Sequence, residues 1–211
     1  RAQVEGGAAV EEILDNPVSL DAGLWAHHIL HAQGIDLLTA GGSRRRTEPK
    51  WSNYYHLLKF AQTAYDAVIA DLGTAMADAG IEIVLRAARI CLVCTPERPS
   101  LVLAQRRRQE LDRLGVEPER ILLVVNRWHP TDPPLEELAQ QVACRRVTGL
   151  PNDYQSVRAA TDSGTLVSAD SRLGAAYDVL ARLVAGEQAG EGADATTARK
   201  SRFRLAALFG R

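Results

Sequence analysis

The sequence predicts an α/β fold in which a mostly parallel sheet is flanked by helices, and three observations carry that reading. Apolar runs of strand length recur along the chain and are apolar throughout instead of alternating, the mark of strands covered on both faces. Segments with helical spacing lie between them, and this β-α-β-α order demands right-handed crossovers. Polar residues gather at the carboxyl ends of the apolar runs, the edge where such sheets collect ligands.

Each element has its own justification. "IDLLTAG" (35–41) is a short apolar run ending in Gly, a strand followed by the basic, turn-rich loop "GSRRRTEPK" (42–50). "WSNYYHLLKFAQTA" (51–64) places Tyr54, Leu57, Leu58 and Ala61 at helical spacing. "AYDAVIADLG" (64–73) is a strand that delivers Asp71 to its carboxyl end, and "ADAGIEIVLRAA" (77–88) is a helix with Ile81, Val84, Leu85 and Ala88 on one face. "ICLVCTPE" (90–97) is a strand stopped by Pro96; Ser100 caps the following helix, which stops at Gly115. "RILLVVNR" (120–127) is the next strand, and "PLEELAQQVA" (134–143) a helix with acidic residues in the first turn, where the helix dipole favours them. "RRVTGLP" (145–151) is a shorter strand, and "GAAYDVLARLVAG" (174–186) a last helix.

Composition narrows the function classes. The chain has 211 residues, 46% hydrophobic and 24% charged, with a formal net charge of −1. That suits an ordinary globular protein with a sizeable core and no overall nucleic-acid footprint. The three cysteines, Cys91, Cys94 and Cys144, form an odd, sparse set that fits a reducing cytoplasm. Cys91 and Cys94 lie three apart on a strand, so they point to opposite faces and read as small core residues, not a metal pair. His27 and His31 stand one helical turn apart, a metal-binding spacing, but no local carboxylate or cysteine completes a site, so they read as a surface pair. The clusters Arg44–Arg46 and Arg106–Arg108 lack interleaved aromatics and any helix-turn-helix pattern, so DNA is not an expected partner; the second, interleaved with a helix's apolar positions, reads as a solvated face.

Beyond residue 186 the composition changes. "EQAGEGADATTA" (187–198) is small and polar and reads as a flexible linker. "RKSRFRLAALFGR" (199–211) is basic and apolar together. On a helix Leu205, Leu208 and Phe209 fall together while Lys200, Arg204 and Arg211 share another side. A short helix of this kind lies on an anionic membrane; the other readings are a frayed tail or a helix docked on its own domain.

The candidate chemistry sits at strand ends. Asp71, a carboxylate at the end of a strand, suits Mg2+, which keeps several waters and binds few protein carboxylates; its other role is a turn residue. Asn126, followed by Arg127, offers an amide donor and acceptor, the pair that reads an adenine edge, or else closes an Asx-turn. "LPNDYQSVRAATDSG" (150–164) brings Pro151, Asn152 and Asp153 to a strand end and a helix start, where they face a base or simply cap the helix.

Taken in order and at this spacing, "YDAVIADLG", "AARICLVCTPERPSLVLAQRRRQELDRLG", "RILLVVNR" and "LPNDYQSVRAATDSGTLV" resemble the MinD/ParA superfamily of deviant-Walker P-loop ATPases, and most of all its CpaE/TadZ-like branch, which places pilus and secretion machinery. The likeness covers about residues 1–186, with 150–164 its most specific part. It implies a dimeric ATP-sandwich fold using ATP and Mg2+. Asp71 matches the Walker B carboxylate, serving catalysis and the metal. Asn126, with Arg127 beside it, matches the adenine contact, and Pro151, Asn152 and Asp153 match the base-pocket segment. The expected partners are a second copy, pilus, secretion or division proteins, and an anionic membrane reached through 199–211. The expected location is the cytoplasm, at the inner face of the membrane.

One departure is large. The family carries a glycine-rich phosphate loop of the form KGGxGKT, whose backbone N–H groups and lysines hold phosphates. The glycine pairs in "GGAAVEE" (6–12) and "AGGSRRRT" (40–47) have no lysine before Ser or Thr at the right offset. In the family the strand leading to that loop lies mid-sheet, beside the Asp71 strand. With Arg at position 1 in place of Met, the expectation is an amino-terminally truncated family ATPase whose phosphate loop lies upstream. A non-hydrolysing scaffold that binds partners and membrane is the other reading.

Overall fold

The computed structural model describes residues 10–15, 19–39, 51–73, 78–186 and 205–209. The expected basic loop 42–50 with Arg44–Arg46, the glycine pairs at 6–7 and 41–42, and the linker 187–198 lie outside them. The chain divides into two compact units, one formed by Gln3–Arg86 with Ala195–Arg211, the other by Ala87–Asp194 with the first two residues.

The first unit opens with two short helices, α1 (Val10–Asp15) and α2 (Ala22–His28), the second capped by Asp21, whose carboxylate accepts from the Leu24 N–H at 2.8 Å. A hairpin follows, β1 (Leu30–Ala32) against β2 (Ile35–Leu38), turned by Gln33 and Gly34. Both turn residues have positive φ, 51° and 82°, the mirror-image geometry that matches strand twist. Helix α3 (Trp51–Ala64), strand β3 (Ala67–Asp71) and helix α4 (Asp78–Arg86) complete the run.

The four-stranded sheet has the order β1-β2-β7-β3, where β7 is Leu205–Phe209, parallel to β2 on one side and to β3 on the other. This corrects the reading of 199–211 as an amphipathic helix over its last apolar residues: Leu205–Phe209 is an inner strand. Its register runs from Leu205 opposite Ile35 and Ala67 to Phe209 opposite Asp71. Five residues with apolar side chains satisfy a helical stripe and a strand equally well. Two flanking strands with open edges tip the choice, because every inner N–H and C=O then finds a partner.

The core of this unit holds Ile13, Leu14, Trp25, Leu38, Leu57, Leu58, Ala61 and Tyr65. Trp25 packs on Phe60 with ring centroids 5.2 Å apart. A chain of hydrogen bonds threads it: the Trp25 indole N–H donates to the Tyr65 hydroxyl at 2.7 Å, which donates to Asp36 Oδ2 at 2.6 Å. The other Asp36 oxygen meets Nδ1 of His31. His31 therefore lies on β1 and not on the helix of His27; α2 ends at His28, which is buried and sits against Glu12 and the Leu24 carbonyl. Strand β3 also departs from the two-sided burial expected of it. Val68 and Ala70 pack on the core while Ile69 is 52% exposed.

The second unit alternates strand and helix: β4 (Ile90–Cys94), α5 (Arg98–Arg113), β5 (Ile121–Trp128), α6 (Leu135–Val142), β6 (Arg146–Pro151), α7 (Tyr154–Ser163) and α8 (Arg172–Ala185). Its sheet is parallel in the order β4-β5-β6. Ile121 through Val125 are all buried, as a central parallel strand requires. Leu122 and Val124 meet Leu150 and Leu173, with Leu180 and Leu183 of α8 alongside. On the opposite side, α5 and α6 pack on one another and against β4 and β6.

Three readings are corrected here. Cys91 is exposed, whereas Cys94 and Cys144 are buried, and burial pushes the Cys94 thiol up to about 11. The arginine run is solvated only in part, with Arg106 exposed. Arg108 falls on the stripe of Leu101, Ala104 and Leu111, is buried, and pairs with Asp112, while Arg107 pairs with Glu110. Helix α5 also starts earlier than expected. Glu97 is its N-cap residue, and Ser100 turns back so that its hydroxyl accepts the Thr95 N–H at 2.9 Å.

Candidate functional site

The carboxyl rim of the second unit's sheet gathers three crossings. The register sets Cys94 opposite Val125 and Val125 opposite Gly149, so the chain leaves β4 at Thr95–Glu97, passes the rim on β5 at Asn126–Trp128, and leaves β6 at Pro151–Asp153. The register pairs Pro151 with Trp128, so the sequence-predicted Asn126 and Arg127 precede that pair on β5 while Asn152 and Asp153 follow it beyond β6, all along the same rim.

The β5 crossing is irregular. Three steps along β5, from Val125 to Trp128, match two along β6, from Gly149 to Pro151, so one extra residue bulges out at Asn126–Arg127. Arg127 adopts φ 58°. The other non-glycine residues of positive φ among those described are Gln33, in the hairpin turn, and Ala143, at the end of α6, where left-handed backbone is ordinary. Arg127 has that conformation inside a strand, at a cost of about 1–3 kcal/mol. The bulge is braced from both directions. Asn126 Oδ1 accepts the Arg127 N–H at 2.9 Å, and the Trp128 carbonyl accepts the Asn152 N–H at 3.2 Å. The Trp128 indole donates to the Pro133 carbonyl at 3.1 Å. Gly149 makes room: a Cβ there would lie 3.1 Å from Leu135 and 3.6 Å from the Trp128 ring.

Asp153 is the N-cap of α7. Its carboxylate accepts the Ser156 N–H at 3.1 Å and the Ser156 hydroxyl at 2.7 Å. These two bonds, with the charge of Arg172, hold its carboxyl below the usual carboxylate range against a smaller opposing effect of burial. Protonation removes the acceptor, so the stability from this cap is complete above the unfolded value of about 3.9 and is lost as the pH falls through the lower folded value. Asp153→Asn is expected to flatten that acid limb of unfolding, followed by circular dichroism between pH 2 and 6.

Glu97 completes the rim. Hydrogen bonding with Thr95 and with its own backbone, and to a lesser degree the charge of Arg127, hold its carboxyl below the usual range against an opposing effect of burial. The sequence places Thr95–Glu97 at a strand end with the other rim residues but gives Glu97 no role of its own, because a glutamate after Thr-Pro reads as a helix-start residue.

Asp71 belongs to the first unit, at the carboxyl end of β3, exposed, with Oδ1 accepting the Gly73 N–H at 3.3 Å. That bond is the turn role weighed against metal binding. Among the described residues, no group of three or more His, Cys, Asp or Glu is placed to hold a metal. A single exposed carboxylate still matches the demand of Mg2+, which takes most of its ligands from water and phosphate. An amide, a guanidinium and a strand–helix junction stand at the rim of the second unit, and the sequence offers no lysine-bearing glycine loop.

No family model and no curated protein matches the sequence. Solved structures do resemble the fold. A ParA family ATPase from Chlorobium tepidum has a TM-score of 0.73 at 20% identity, over 83% of this chain and 76% of its own. A chain of the MinC:MinD cell division protein complex of Aquifex aeolicus has 0.67 at 15%, over 90% and 78%. The Pyrococcus furiosus cell division ATPase MinD has 0.60 at 18%, over 84% and 78%. At these identities the likeness is one of architecture, and the chain has the fold of the ParA and MinD ATPases.

Proposed function

We propose that the protein works as a CpaE/MinD-like ATPase-family positioning protein, with adenine bound at the rim of the second unit and ATP with Mg2+ as the family's ligands. The observation that carries this reading is the bulge at Asn126–Arg127, braced against Asn152 on a parallel sheet of this fold. With Oδ1 engaged by backbone, the Asn126 side chain is left with its amino group to donate, which suits a ring-nitrogen acceptor of adenine. Arg127 supplies a planar cation suited to stacking on a base. Pro151, Asn152 and Asp153 line the same edge, and Asp71 is the carboxylate for Mg2+ in the other unit. The partners are a second copy and pilus, secretion or division proteins; a MinC complex is a property of the Aquifex neighbour.

The tail reading belongs here too. The cations at Lys200, Arg204 and Arg211 suit an anionic bilayer surface. Residues 205–209 are paired within the sheet, so membrane binding as a helix requires that strand to leave it. No helix among the described residues is long and apolar enough to cross a membrane. The scaffold reading, without hydrolysis, is favoured by one observation: Asp71 is already engaged in a local turn.

Calorimetric titration separates these readings. We expect ATP with Mg2+ and adenosine to bind with similar, weak affinity, on the order of millimolar (about −4 kcal/mol), because only the base contributes. Asn126→Ala should abolish both. Micromolar ATP binding with much weaker adenosine binding would reveal a phosphate cradle and overturn the weak-binding expectation. No binding of either ligand at millimolar concentration would end the adenine-site reading.

A further inference from the structure

Residues 205–209 suit two structures that exclude one another. In the sheet, β7 bonds on one side to β2, from Ile35 to Leu38, and on the other to β3, from Ala67 to Asp71. On a helix the same segment sets Leu205, Leu208 and Phe209 together, with Lys200, Arg204 and Arg211 on another side. A helix spends its N–H and C=O groups along its own axis, which leaves none for a neighbouring strand. The two strands that flank β7 depend on it unequally. Strand β2 keeps β1 as a partner, whereas β3 has no other among the described residues. Phe209 stands opposite Asp71, the last residue of β3, so the pairing with β7 runs the whole length of that strand.

We propose that β7 is a releasable strap: an anionic bilayer draws it out of the sheet, and its departure frees the strand that carries Asp71. The inference rests on the tail reading given above and adds a coupling to it, in which lipid binding and the ordered placement of Asp71 exclude one another. Its direction follows from linkage. A surface that binds the tail only as a helix shifts the population toward the released form, at the expense of the sheet. The cations at Lys200, Arg204 and Arg211 make that surface an anionic one. Strands β4, β5 and β6 form a separate sheet and take no part in the release.

Vesicles of phosphatidylglycerol and phosphatidylcholine in equal parts are the probe, with phosphatidylcholine alone as the control. Amide exchange of the full chain should lose protection at 67–71 as anionic vesicles are added. The loss should reach at least about tenfold once about nine-tenths of the chain sediments, because the bound share is then the released share. Protection at 121–125 should stay, and neutral vesicles should change neither segment. Lys200→Glu combined with Arg204→Glu leaves 205–209 intact and should abolish both sedimentation and the loss at 67–71. If the chain sediments while 67–71 stay protected, the coupling fails and the membrane reading stands. Equal loss at 121–125 would show general unfolding on the bilayer and overturn the strap. Sedimentation that persists in the charge-reversed chain would put the lipid contact outside the tail and overturn it too. If the parent chain sediments with neither vesicle, the membrane reading itself fails and the inference falls with it.

Discussion

Truncation after residue 204 is expected to dismantle the sheet of the first unit. Strand β7 pairs with β2 through Leu205–Leu208 and with β3 through Leu205–Phe209, and β3 has no other strand partner among the described residues. Removing it leaves β3 alone and β1–β2 as an isolated hairpin, which is marginal in water. The lost ladder bonds contribute about 1 kcal/mol each net, and together they approach the whole stability of a small unit, roughly 5–15 kcal/mol. Amide exchange should show protection lost over 35–38 and 67–71, together with collapse of the near-ultraviolet signal of Trp25. Unchanged protection at 67–71 in the truncated protein would show that β7 is no part of the sheet. This outcome reverses what the sequence implies, since a basic amphipathic tail on a linker should be removable without consequence.

Leu123→Ala should be the most damaging single substitution in the second unit. Leu123 lies in the middle of β5, opposite Leu92 and Val147, with 0% of its surface exposed. Helices cover both sides of this sheet, so the neighbours collapse little, and the expected loss is about 2–5 kcal/mol. For a chain of this length that lowers the melting temperature by roughly 4–20 °C. Val93→Ala is the control. It removes a side chain of the same sheet that is 60% exposed, and its effect should stay within about 0.5 kcal/mol. Urea unfolding followed by Trp128 fluorescence reads both, and equal midpoints for the two variants would contradict the layered core.

Much of this architecture was legible because it is local. "ILLVV" is too short for a helix and apolar without alternation, so it had to be a covered strand, and Asn126 had to stand at its end. "PNDYQS" signals a helix start through Asp153, and the cap bonds to Ser156 follow from that residue type. The strand at 205–209 was not legible, because its partners lie about 140–170 positions away and apolar residues do not choose a secondary structure by themselves. Nor was the burial of Arg108: a run of three arginines reads as solvated until the helix phase puts one of them between Leu101, Ala104 and Leu111. The hairpin at Gln33–Gly34 carried a turn signal in its glycine that went unread, and His31 was misplaced with it.

By itself the sequence determined the βα alternation of the second unit and which polar residues stand at the carboxyl ends of its strands, since periodicity and capping act over a few residues. Only the tertiary structure decided that β7 enters the first sheet and that β5 carries an extra residue at Asn126–Arg127. Those outcomes depend on which backbone groups find partners, a quantity that exists only after distant segments have paired.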